Sequence, residues 1–138
     1  EWLTDNPIIY YPHGLESSAI RFKNSLQENT KMHVIAEDVV EACHNGIVAW
    51  EKESKLKPIL IRGKKDYVKT IERWEVLKEY FKSKSIDYYE INTEGNSIIT
   101  KIVYLIYFLD YVSIYKAILS KTDPSPVKAI DFIKDRID

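Results

Sequence analysis

Residues 58–63 read Pro-Ile-Leu-Ile-Arg-Gly, and this short run decides the fold. Its apolar residues are consecutive instead of alternating with polar ones, so both faces of the strand must be covered, as in the middle of a parallel sheet. Gly63 closes the strand, and Tyr67, Ile71, Trp74, Leu77 and Phe81 then recur at helical spacing as one stripe. The same unit lies upstream. Pro7 to Tyr11 (PIIYY) is a buried strand bounded by prolines, with His13 and Gly14 as the turn. From Glu16 a helix follows, its inner stripe Leu15, Ala19, Phe22 and Leu26, its end near Thr30. Arg21, Asn24 and Glu28 share another face of that helix.

Working outward, Met32 to Ala36 (MHVIA) has the length and branching of a second strand, and Ile86 to Ile91 (IDYYEI) of another. Asp38 to Glu51 reads as short helical turns holding His44, Asn45 and Gly46. Strands alternating with helices predict an α/β domain with a parallel sheet and right-handed crossovers. From about Ser97 to Leu119 a long helix is apolar around nearly its full circumference, which predicts burial on several sides, in part against another domain or subunit. Ser125 followed by Pro126 is a candidate N-cap and first helical position, with Ile130 and Ile133 anchoring a terminal helix.

Composition narrows the function classes. The 138 residues, 45% hydrophobic and 12% aromatic, supply one core, so residues 1–138 are read as one domain. With 20 basic and 21 acidic residues spread evenly, nucleic acid and membrane surfaces are not expected partners. The lone Cys43 and the missing leader pattern predict a cytoplasmic protein. Lys101, Asp110 and Lys116 interrupt the apolar helix and argue for a buried helix over a membrane span. Because the chain starts at Glu1, it is expected to be part of a longer protein. Four glycines and no phosphate-cradling loop predict no nucleotide, and no cofactor is implied. Three histidines and one cysteine lack metal-ligand spacing, so no metal is expected. His33 reads as a structural histidine within a strand and His13 as an exposed turn residue. Cys43 and His44 are adjacent, which rarely gives the facing geometry of a thiol nucleophile and its base.

Two segments carry candidate chemistry: RFKNSLQENTK at Arg21 to Lys31 and EACHNGIVAWE at Glu41 to Glu51. On residue chemistry alone, Glu28 and His44 are either an acid/base pair or a solvated helix-end carboxylate and a capping loop. Arg21 and Lys23, then Glu28, Asn29 and Lys31, then Glu41, His44, Asn45, Ile47, Val48 and Trp50 resemble the C-terminal sugar isomerase domain of bifunctional phosphoglucose/phosphomannose isomerases. The closing residues Asp110 to Tyr115, Asp123 to Val127, Ile130 and Lys134 also resemble that family.

The resemblance implies an α/β three-layer sandwich of the SIS fold, related to flavodoxin-like and Rossmann-like domains, with a mainly parallel sheet and a long buried C-terminal helix. It implies aldose-ketose isomerisation of glucose 6-phosphate through a cis-enediol and leaves mannose 6-phosphate open. Glu28 would move the proton between C2 and C1, a role suited to a carboxylate partly withdrawn from water. His44, acting across a homodimer, would open the sugar ring, and Lys134 would assist at that stage. Arg21, Asn24 and Asn45 would bind substrate or support those that do. The phosphate-gripping serines and threonines, and an arginine near the enediolate, belong in this family to an N-terminal SIS domain, so this chain alone is expected to be folded and inactive. Gln27, Gly46 and Ala49 depart from the family pattern without removing a catalytic position. Two alternatives stand beside this reading: a noncatalytic SIS-like module for sugar-phosphate binding or dimerisation, and a generic flavodoxin-like or Rossmann-like domain.

Overall fold

The computed structural model describes residues 3 and 6–137. Four parallel strands, β1 (Pro7–Tyr11), β2 (Ile35–Asp38), β3 (Lys57–Arg62) and β4 (Tyr89–Asn92), form one sheet in the order β2-β1-β3-β4. Five helices accompany them: α1 (Glu16–Thr30), α2 (Val39–Ala42), α3 (Val68–Ser83), α4 (Ile98–Leu119) and α5 (Lys128–Ile137). A 3₁₀ turn, Gly46–Glu51, joins α2 to β3.

The unbroken apolar runs occupy the two central strands. Because side chains alternate across a strand, Ile9, Tyr11, Ile59 and Ile61 pack under α1 and α4, while Ile8, Tyr10 and Leu60 pack with α2 and α3 on the other face. Leu15, Ala19, Phe22 and Leu26 form the buried stripe of α1 as their spacing predicts. The result is helix, sheet, helix, the α/β layering anticipated from the alternation of elements.

Several expectations shift. The second strand lies at Ile35–Asp38, since Met32 and Val34 are drawn into the α1/α4 core ahead of the ladder while Glu37 and Asp38 pair with Tyr10 and Tyr11. His33 is therefore exposed and outside the strand. The fourth strand begins at Tyr89 because a Schellman closure ends α3: Ser85 takes a left-handed φ of 54° and the Ile86 amide donates to the Phe81 carbonyl at 2.9 Å. Ile86 and Tyr88 pack against the α3 core as loop residues. Tyr67 and Ile71 are exposed, so the inner stripe of α3 is Thr70, Trp74, Leu77 and Phe81. Ser125 does not cap α5: its amide donates to Asp123 Oδ1, and the first α5 turn closes on the Val127 carbonyl. Ile130 and Ile133 are exposed.

The long helix departs most. Within this chain α4 buries only the stripe Leu105, Leu109, Ser113 and Ala117, against α1 and the sheet. Its outer side leaves Ile99 69%, Tyr107 68%, Tyr115 61% and Ile118 62% exposed, because no element of the described chain crosses that face. By length and composition α4 could cross a membrane; here Asp110, on the side of α1, is held in an ion pair.

Candidate active site

Glu28 stands in the last turn of α1, a helix fixed on the sheet by its apolar stripe. The polar residues around it are occupied in holding that helix. Arg21 grips Asp110 of α4 with two bonds, Nε to Oδ1 at 3.1 Å and Nη2 to Oδ2 at 2.8 Å, and the Ser25 hydroxyl donates to the same carboxylate at 2.8 Å. The Arg21 guanidinium, helped by the Ser25 hydroxyl and working against burial, holds the Asp110 carboxyl below its ordinary range. Asn29 donates from Nδ2 to the buried Ser113 hydroxyl at 2.8 Å, and Ser113 donates to the Asp110 carbonyl at 2.7 Å. Lys31, in a left-handed conformation at the end of α1, donates from Nζ to the Pro124 carbonyl at 3.2 Å and so ties the C-terminal segment to this helix. Lys23 donates to Asn24 Oδ1 and Gln27 Oε1.

Glu28 differs from these neighbours. Among the described residues its carboxylate has no hydrogen-bond or ion-pair partner, and it borders two hollows at once. One, of about 640 Å³, runs between Asn24, Gln27, Lys31 and the start of α5 at Pro126 to Ile130. The other, of about 480 Å³, lies toward Arg21, Asn29 and Asp110. Asn24 lines both. Glu28 is exposed, so the partial withdrawal from water expected of it is not supplied by the described residues.

His44 and Asn45 lie elsewhere. They follow α2, which packs on the opposite face of the sheet with Trp50 and α3, and both amides donate to the Glu41 carbonyl, at 3.0 and 2.8 Å. Both residues are exposed. One chain thus separates Glu28 from His44 by the full thickness of the sheet. Lys134 is exposed on α5, whose first residues border the Glu28 hollow. Arg21, Asn24 and Glu28 come together as their helical spacing requires; His44 and Asn45 do not join them.

Two features near His44 escape the sequence. The Glu37 carboxyl is pushed up, first by burial and then by Glu41 and Asp38. The Glu37 carboxylate lies against Gly46, with Oε2 2.6 Å from where a Cβ on that glycine would stand. The only signal available was an acidic pair, Glu37 and Asp38, at a strand end. Burial also pushes the Cys43 thiol up, away from a thiolate nucleophile.

Residues 2–137 match the family model of the bacterial phospho-glucose isomerase C-terminal SIS domain. The chain belongs to this family. It is 32% identical over 136 residues to a bifunctional phosphoglucose/phosphomannose isomerase of Caldicellulosiruptor bescii, covering 95% of this chain and 40% of that one. A protein of the same description from Aquifex aeolicus is 28% identical over 134 residues, covering 95% of this chain and 42% of its own length. The chain therefore spans about two fifths of the relatives it matches. A glucose-6-phosphate isomerase-like protein from Thermus thermophilus superposes with a TM-score of 0.64 at 17% identity, covering 88% of this chain and 40% of that one, a likeness of fold.

Proposed function

We propose that this domain supplies the base of an aldose-ketose isomerase acting on glucose 6-phosphate, with mannose 6-phosphate as the candidate second substrate. The observation that carries the reading is the free Glu28 carboxylate, bordering two hollows while Arg21, Asn29 and Lys31 around it are spent on holding its helix. Glu28 takes the proton from C2 of the open-chain sugar and returns it to C1 through a cis-enediol, so one group serves both steps. Arg21 acts as a positioning residue through Asp110, and Asn24, lining both hollows, is placed to meet a sugar hydroxyl. His44 of a second copy and Lys134 serve ring opening.

Family membership supports an N-terminal SIS domain as the partner that grips the phosphate and covers Glu28, withdrawing it from water. On this reading the isolated domain is inactive. The test is fructose 6-phosphate formation from glucose 6-phosphate by the full-length protein. Glu28→Gln is expected to lower turnover about a hundredfold or more, the scale of a lost general base. Normal turnover in that variant would overturn the role of Glu28. An inactive intact enzyme that still binds sugar phosphate would favour the noncatalytic binding module.

A further inference from the structure

In an open parallel sheet ligands gather beyond the carboxyl ends of the strands, where the chain order reverses. Here that point lies between β1 and β3, whose connections leave toward opposite edges of the sheet and opposite faces. A crevice of about 420 Å³ opens there, with Pro12 and His13 of the first loop on one side and Lys65 and Asp66 of the second on the other. Arg73 of α3 and Lys101 of α4 complete its charged lining.

The electrostatics of this crevice are unbalanced. Lys65, Arg73 and Lys101 bring three full positive charges, and among the described residues none of them forms an ion pair. The one acid, Asp66, is already turned inward: its Oδ2 accepts from the Gly63 amide at 3.0 Å and from the Trp74 indole at 3.2 Å. A Cβ on Gly63, the residue after β3, would land on the Asp66 carboxylate, and the Lys101 ammonium lies 3.5 Å from that same Cβ position. Two helices also begin at the crevice with their first amides uncapped by side chains. The N-cap positions are Leu15 for α1 and Tyr67 for α3, both lining residues, whereas α4 carries a full Ser97/Thr100 capping box. Open helix starts add to the field of the three cations.

We propose that this crevice is a second binding site, for a phosphate-bearing small molecule of charge near −2, separate from the Glu28 groove. The two lie at opposite ends of α1: thirteen residues at a helical rise of about 1.5 Å separate Leu15 from Glu28, or about 20 Å. The site does not depend on the isomerase reading.

The experiment is a titration of the ¹⁵N-labelled chain with inorganic phosphate, at ionic strength held constant with chloride. Saturable amide shifts are expected at His13 to Glu16 and Gly63 to Thr70. Lys65→Glu and Lys101→Glu are each expected to weaken binding about tenfold or more, and Lys65→Arg to retain it. A sugar phosphate that binds more tightly through the same shifts assigns a phosphate ester, and equal affinity assigns the free ion. No saturable shift, equal shifts with chloride, or unchanged affinity in a folded Lys65→Glu/Lys101→Glu double variant would overturn the proposal. So would shifts centred on Glu28.

Discussion

The two faces of the sheet are finished differently. On one, α2, the 3₁₀ turn and α3 enclose an aromatic core of Tyr10, Trp50, Trp74 and Phe81, closed by the Trp50 indole donating to the Tyr10 hydroxyl at 2.9 Å. The outward side of α3 there carries charge, with Lys69–Glu72 and Glu75–Lys78 pairs. On the other, α1 and α4 are joined by polar bonds as well as apolar packing, and the outside of α4 stays apolar and uncovered. The first face is covered by the described chain; the second ends on an apolar surface that the described chain leaves open. A soluble monomer seldom leaves so large an apolar patch.

Removing a ring on each face breaks that comparison most sharply. Trp74→Ala empties a fully buried site and removes one of the two donors to the Asp66 carboxylate, so chemical denaturation is expected to show a loss of about 3–5 kcal/mol. Tyr107→Ser on the outer face of α4 is expected to change the stability of this chain by no more than about 0.5 kcal/mol, while weakening assembly of the full-length protein. An equal loss at both positions would mean that the α4 face is covered within the chain.

Tyr10 gives the closed face a signature in alkali. Burial raises its hydroxyl to about 12 from 10.0. A group with a raised folded value contributes stability fully below the unfolded value and loses it as pH rises through the folded one. Between pH 10 and 12 the protein should therefore lose about 2–3 kcal/mol through this residue. Tyr10→Phe, which leaves the Trp50 indole unpaired, should be less stable by about 1 kcal/mol near pH 8. The order of the two stabilities should reverse by pH 12, and parallel curves would sink this account.

Subunit mixing tests the proposal that the two faces meet only between copies. In the full-length enzyme Glu28→Gln and His44→Ala should each be nearly inactive. Random mixing of the two should restore up to about a quarter of wild-type activity, since half the dimers are hybrids with one intact site each. A mixture that stays inactive while subunits exchange would place both residues in one protomer's site.

The central strands were legible because nothing but double-sided burial explains PIIYY and PILIR, and the stripe of α1 was legible because one face meets the sheet. Edge elements were less so. β2 and β4 contain Glu37, Asp38 and Glu90, whose place in a ladder depends on neighbouring strands and not on their own pattern. The circumference of α4 is apolar all round, which predicts burial on several sides, whereas the described chain covers one stripe of it. For the site, helical spacing put Arg21, Asn24 and Glu28 on one face, yet no local pattern could show that Arg21 is claimed by Asp110, 89 residues away, or that His44 lies beyond the sheet.

That long-range pair yields the smallest effect and the most specific one. Arg21 is 57% exposed and Asp110 30%, so water screens their attraction and the pair should contribute no more than about 1 kcal/mol. Asp110 has a lowered value, so its contribution is present above the ordinary carboxyl value of 3.8 and disappears as pH falls through the folded one. Asp110→Asn should accordingly cost up to about 1 kcal/mol at pH 7, and the gap to wild type should close below pH 3.8. If Arg21 meets substrate directly, Arg21→Lys should raise KM in the full-length enzyme while Asp110→Asn leaves KM alone. If it acts by bracing the helix that carries Glu28, both variants should lower kcat together with KM little changed, because what they disturb is the aim of a carboxylate and not the hold on a sugar.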